Sequence, residues 1–220
     1  MLKVHKTTYD KNSSSDRKKM DAIKKELGID SIAKPISKPK ATPTPRPTPV
    51  QDDRNYAIPP EQEVRTALIS EAKKHIGIRE RGTNRGPEID RANDLAGADL
   101  GSAWCASIQY KISHDVTKNL RIKRLYPRTA RAIIMGKQFS LREKDPKPGD
   151  TFYVGKYSHT GMFESWSKKG MSCTTLEGNT SPAGATPGQD REGDGFYNKQ
   201  RLKASLMYGA DWVTNRIEKL

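Results

Sequence analysis

The chain is 220 residues long, 33% hydrophobic and 30% charged, and it carries a formal net charge of +14. That length allows one moderate domain with extensions and excludes two large ones; so small an apolar share excludes a core built from the whole chain. No apolar run approaches the ~18 residues of a membrane-spanning helix, and residues 1–25 are charged where a signal peptide would be apolar.

The positive charge is shared, with +6 from 13 basic and 7 acidic side chains in residues 1–55 and +8 from the remainder. Such an excess suits either ordinary solubility or an anionic partner: a bacterial wall polymer, a membrane surface or nucleic acid. Nucleic acid rests on charge alone, because the aromatic residues form no stacking pattern, and no specific nucleic-acid partner is expected. Cys105 and Cys173 are too few for a disulfide framework, and without a secretory signal they are expected to be reduced.

In residues 1–33, Ser13-Ser14-Ser15-Asp16 precedes a short helical stripe of Met20, Ile23 and Leu27 that Gly28 ends. So short a helix is marginal alone and needs a surface to lean on. Residues 34–55 form a proline-rich linker, with prolines at 35, 39, 43, 45, 47 and 49. Proline at that density favours extended polyproline structure, and residues 34–49 would reach roughly 50 Å as a semi-rigid tether.

The folded body is expected over residues 56–220. Pro59-Pro60 opens an amphipathic helix over 61–76, with Val64, Leu68, Ala72 and Ile76 on one side and Gly77 beyond its end. A second helix is predicted over 88–95, a third from Cys105 with Ile108 and Ile112 on one face, and a short one over 129–135. After the turn Lys147-Pro148-Gly149-Asp150, strands are predicted at 151–154, 160–166, 172–176, 199–204 and 211–217. Helices first and then hairpin-linked strands indicate an α+β fold, with N-terminal helices packed on a small antiparallel sheet.

Three segments carry chemistry. Cys105 starts a helix, where free N–H groups and the macrodipole favour a thiolate, and its own N–H can serve an oxyanion hole. Of the four histidines, His5 lies in the tail and His75 ends the first body helix, where it suits the C-terminal dipole. His114 is nine residues beyond Cys105 and so on the opposite face of its helix. That leaves His159, at the start of a strand, as general base. Glu177 and Asn179 stand two apart, so an extended strand points both the same way, and either can orient the far nitrogen of His159. Cys173 reads as core. No paired ligand spacing or acidic calcium loop is present, so no metal or other cofactor is expected.

These motifs together resemble a CHAP domain, the cysteine-histidine amidohydrolase/peptidase module of the NlpC-type, papain-like superfamily. The matching pieces are Glu80, Asn84-Arg85-Gly86-Pro87, Gly101-Ser102-Ala103-Trp104-Cys105-Ala106 and Lys147-Pro148-Gly149-Asp150. They continue with His159-Thr160-Gly161-Met162, Thr175-Leu176-Glu177-Gly178-Asn179-Thr180, and Gly193-Asp194-Gly195 before Arg201. The resemblance implies a papain-like CHAP fold and a peptidoglycan hydrolase, amidase or endopeptidase. Cys105 would be its nucleophile, His159 its base and Glu177 its orienter with Asn179 beside it, while Trp104, Glu80 and Asn84 would bind substrate. It further implies a phage endolysin or virion-associated lysin, held in the virion or in the host cytoplasm before acting on the wall. Residues 1–33 would then be a candidate attachment to a virion protein. The alternative is a non-catalytic virion or assembly protein that retains the fold.

Overall fold

A computed structural model describes residues 59–155, 158–182 and 193–217. Every described residue belongs to one compact unit, Asp53–Leu220. The short helix expected before Gly28, the proline-rich linker and the expected start of the body at Tyr56 lie outside the described residues.

Helix α1 (Glu61–Lys73) follows Pro60 and carries Glu61 and Glu63 in its first turn and Lys73 in its last, so its charges complement the helix dipole. It is shorter than the predicted 61–76 because its final turn tightens. His75 and Ile76 donate to Ala72 and Lys73, three residues back, and Gly77 leaves at φ 97°. Helix α2 (Pro87–Ala96) has proline at its first position and stops at left-handed Gly97. Helix α3 (Cys105–Leu120) buries Ile108, Ile112 and Val116, spaced four apart, and α4 (Ala132–Gly136) is a single short turn.

The strands are β1 (Phe139–Ser140), β2 (Thr151–Val154), β3 (His159–Trp166), β4 (Ser172–Thr180), β5 (Gly195–Leu202) and β6 (Tyr208–Ala210). They form one antiparallel sheet in the order β1-β6-β2-β3-β4-β5. The fold is therefore α+β, with helices first and a small antiparallel sheet after them.

One predicted strand is replaced. Residues 211–217 turn and enter the short helix α5 (Thr214–Ile217). The cause is local: Asp211 Oδ1 accepts the Thr214 N–H at 3.0 Å, a capping interaction across three residues that competes with strand pairing. The sheet instead uses Tyr208–Ala210, just upstream, to pair with both β1 and β2.

Three apolar clusters among the described residues hold these layers, the smallest being Cys105, Ala132 and Tyr153. Trp104, Ile108 and Ile112 pack with Met162, Leu176 and Phe196, joining α3 to the middle of the sheet. Phe152, Phe163 and Cys173 belong to the second cluster, with the Phe163 and Trp166 rings 5.0 Å apart. Cys173 is buried and unpaired, as the sequence suggested.

The approach of α3 to β4 depends on Gly178. A Cβ there would stand 2.5 Å from the Trp104 ring and 2.6 Å from Ile108 Cγ2, so only glycine lets the start of the cysteine helix lie against the strand.

Arg65, in contrast, is a buried cation on the core side of α1, 2% exposed. Its guanidinium reaches Asp150 Oδ1 at 2.8 Å, Asp211 Oδ1 at 2.9 Å and the Pro148 carbonyl at 2.8 Å, and its Nε reaches Glu61 at 2.7 Å. The clasp ties α1 to the turn before β2 and to the cap after β6. Burial pushes Asp150 up to about 6 against the pull of Arg65. Burial also pushes on Asp211, but the Thr214 N–H and the Arg65 charge bring it down to about 2.

Candidate active site

Cys105 is the first residue of α3 and is 6% exposed. Burial on its own raises a thiol's pKa. Here hydrogen bonding and charge from His159, with the backbone N–H groups of Thr160 and Ala106, outweigh it and bring Cys105 below its ordinary value. His159 begins β3, antiparallel to β2 with His159 opposite Val154. Burial disfavours the charged ring, but the interactions with Cys105 and Glu177 hold His159 up to about 9. Thiol and imidazole therefore favour the thiolate–imidazolium pair.

The two ring nitrogens have different tasks. Nε2 lies 2.9 Å from Glu177 Oε2, while Nδ1 has no completed hydrogen bond. The sulfur and the ring nevertheless shift one another's protonation.

Glu177 is itself gripped. Arg201 Nε donates to Oε1 at 2.6 Å and Nη2 to Oε2 at 2.5 Å, while the Thr175 hydroxyl donates to Oε1. Burial would raise this carboxyl, but Arg201 and His159 hold it well below the usual carboxylate range. Gly161 makes room for the grip, since a Cβ there would stand 2.7 Å from Glu177 Cγ.

Asn179 does not share that task. The β4–β5 register shifts between Glu177 and Thr180, and Asn179 takes a left-handed φ of 55°, so the simple alternation expected of 177 and 179 is broken. Its side chain lines a cleft of about 270 Å³ beside Cys105, together with Ser158 and Arg131. Asn179 is 1% exposed, and neither its Oδ1 nor its Nδ2 has a partner.

Trp104, Glu80 and Asn84, the residues expected to bind substrate, are linked to one another. Trp104 is fully buried and gives its Nε1–H to Glu80 Oε1 at 2.9 Å, so it presents no surface to a polymer. Glu80 Oε2 accepts the Asn84 N–H at 2.7 Å, and Asn84 is left-handed at φ 53°. The three residues brace the segment that leads into Cys105. His75 also differs from expectation. It is buried and kept below its ordinary pKa, by burial first and by the Lys111 charge second, with its ring 5.9 Å from Phe196. His114 stacks near Tyr110 at 6.0 Å, on α3 away from the thiol.

Arg201 escaped the sequence reading as a site residue. Its signal is a basic residue on an alternating strand, which gains meaning only once β5 is paired with β4, placing Arg201 opposite Cys173. Among the described residues, no group of three His, Cys, Asp or Glu side chains is placed to hold a metal ion. No helix among them is long and apolar enough to cross a membrane.

The two thiols should behave oppositely toward an alkylating reagent. Burial, followed by the Glu177 charge, pushes Cys173 up to about 11, whereas Cys105 is depressed. Iodoacetamide at neutral pH is expected to label Cys105 and spare Cys173. In His159→Ala, the Cys105 rate profile should move to higher pH, because only the Thr160 and Ala106 N–H groups then oppose burial. Peptide-mapped alkylation rates between pH ~5 and ~10 check this, and a profile that stays put would show that His159 does not tune the thiol.

Searches of family models, of curated proteins and of solved structures return no match to this chain.

Proposed function

We propose that this chain is a thiol amidohydrolase with a papain-like CHAP arrangement that cleaves amide bonds of bacterial peptidoglycan. The observation that carries the reading is the convergence of a depressed thiol, an imidazole and an ionised carboxylate beside an open cleft, in the order Cys105–His159–Glu177. The net charge of +14 adds attraction toward an anionic wall.

In the first stage the Cys105 thiolate attacks the scissile carbonyl carbon. The developing oxyanion is held by backbone N–H groups at the start of α3 and by the unpaired Asn179 amide. Protonated His159 gives its proton to the departing amine as the C–N bond breaks, leaving a thioester on Cys105. In the second stage His159 takes a proton from water, whose oxygen attacks the thioester, and the thiolate departs. Glu177, fixed by Arg201, keeps the ring aimed and favours its charged form. On this reading the protein is a phage endolysin or virion-associated lysin, with residues 1–33 as a tether to a virion protein.

Purified peptidoglycan digested with the protein should yield fragments with new amino groups, identifiable by mass. A free amino group on the first alanine of the stem marks an amidase, and one within the stem or bridge marks an endopeptidase. The absence of new amino groups, or their undiminished release by Cys105→Ala, would defeat the proposal.

A further inference from the structure

We propose that Arg131 forms a carboxylate-binding subsite beside the Cys105 sulfur, so that the bond cleaved adjoins a free carboxylate of the wall peptide. The proposal rests on the amide-hydrolase reading above and narrows its substrate class.

Arg131 and Cys105 line the same cleft of about 270 Å³. The main chain of Arg131 is fixed: its N–H donates to Thr129 Oγ1 at 3.1 Å, and its carbonyl accepts the N–H groups of Ile134 and Met135, each at 3.1 Å. Its guanidinium enters no ion pair or hydrogen bond among the described residues. Arg65, Arg85 and Arg128, by comparison, are all engaged by protein oxygens. Among the described residues lining the cleft, Arg131 carries the one permanent charge.

A guanidinium fork matches a carboxylate in two parallel bonds, and anchoring its backbone lowers the ordering cost of making them. Ala103, Ala130 and Ala132 in the same lining leave room for a peptide beside the sulfur. The buried, unpartnered Asn179 amide completes the polar side, because such a group needs a hydrogen-bonding partner and a peptide unit supplies one. Peptidoglycan stems offer such a carboxylate beside a peptide bond at their acidic residue, in walls whose stem carboxylates are not amidated.

Two measurements test it. The first compares kcat/KM for two stem-peptide substrates that differ in a carboxylate or a carboxamide beside the scissile amide. The native protein should prefer the carboxylate by about tenfold, and Arg131→Met should reduce the preference to within about twofold. The second needs no turnover: alkylation of Cys105 by anionic iodoacetate relative to neutral iodoacetamide, mapped by mass. The ratio should fall about tenfold in Arg131→Met and partly recover in Arg131→Lys. Cleavage without carboxylate preference, or an alkylation ratio indifferent to residue 131, overturns the subsite. A preserved alkylation preference with neither peptide cut supports the subsite and overturns the hydrolase reading instead.

Discussion

Glu177→Gln is expected to lower kcat/KM by roughly a thousandfold while leaving the protein folded. The carboxylate has two jobs in the geometry: it accepts from His159 Nε2 at 2.9 Å and balances the Arg201 guanidinium. A glutamine keeps the size but presents N–H donors toward one of two groups that are themselves donors. Removing the negative charge also removes a cause of the raised His159 pKa, which stands at about 9. The sign follows directly. His159 must be protonated to deliver a proton to the leaving amine, so activity falls as pH rises through the His159 pKa. In Glu177→Gln that falling limb should move to lower pH, as read from a kcat/KM profile. A variant active to within about twofold, with its alkaline limb unmoved, would exclude Glu177 from the site chemistry. Arg201→Met should move the same limb in the opposite direction or leave it in place, since it frees the Glu177 charge for His159. Its cost would then fall on orientation and hence on kcat.

Arg65→Met is the second large effect, and it falls on stability. Removing one partner of a buried ion cluster costs about 3–5 kcal/mol, because the charges left behind stay buried and unpaired. Here the orphan is Asp150, fully buried, whereas Asp211, 1% exposed, keeps the Thr214 N–H at 3.0 Å and Lys144 Nζ at 3.3 Å. Without Arg65, the Asp150 carboxyl, already raised by burial, would stand still further above its unfolded value. Its charged form then weakens folding at pH above the unfolded value, and protonation restores stability as pH falls. The loss should therefore be largest near neutral pH and smaller near pH ~4.5, measured by urea unfolding. Asp150→Asn in the Arg65→Met background should recover part of it. Equal losses at both pH values would mean that the clasp acts by packing and not by charge.

Much of the architecture was legible in the chain. The 3.6-residue stripes over α1 and α3, glycine stops after α1 and α2, and the turn at Lys147-Pro148-Gly149-Asp150 are local features that depend on a few neighbouring residues. The predicted bounds of β2 match the structure and those of β3 differ by one residue, because short β-prone runs between clear turns leave few alternatives. The failures came where distant atoms decide. Residues 211–217 carry β-prone Trp212 and Val213, yet Asp211 is held by Arg65 from 146 positions away and caps a turn. The left-handed Asn179 breaks an alternation that the one-dimensional pattern supports, and no residue near it in the chain announces the bulge.

The same division runs through the site. From the sequence alone came the reactive types and their order: a cysteine at a helix start, a histidine opening a strand, and a Glu-x-Asn pair further on. Residue identity determines which groups can ionise, and period determines which element carries them. Tertiary structure decided everything that depends on approach. It joined His159 to Glu177 and not to Asn179, brought Arg201 from the adjoining strand to grip the carboxylate, and buried Trp104 against Gly178 where an exposed contact had been expected. A pKa and a hydrogen bond both fall off within a few ångströms, so they are set by neighbours in space, and those neighbours are chosen by strand register and helix packing.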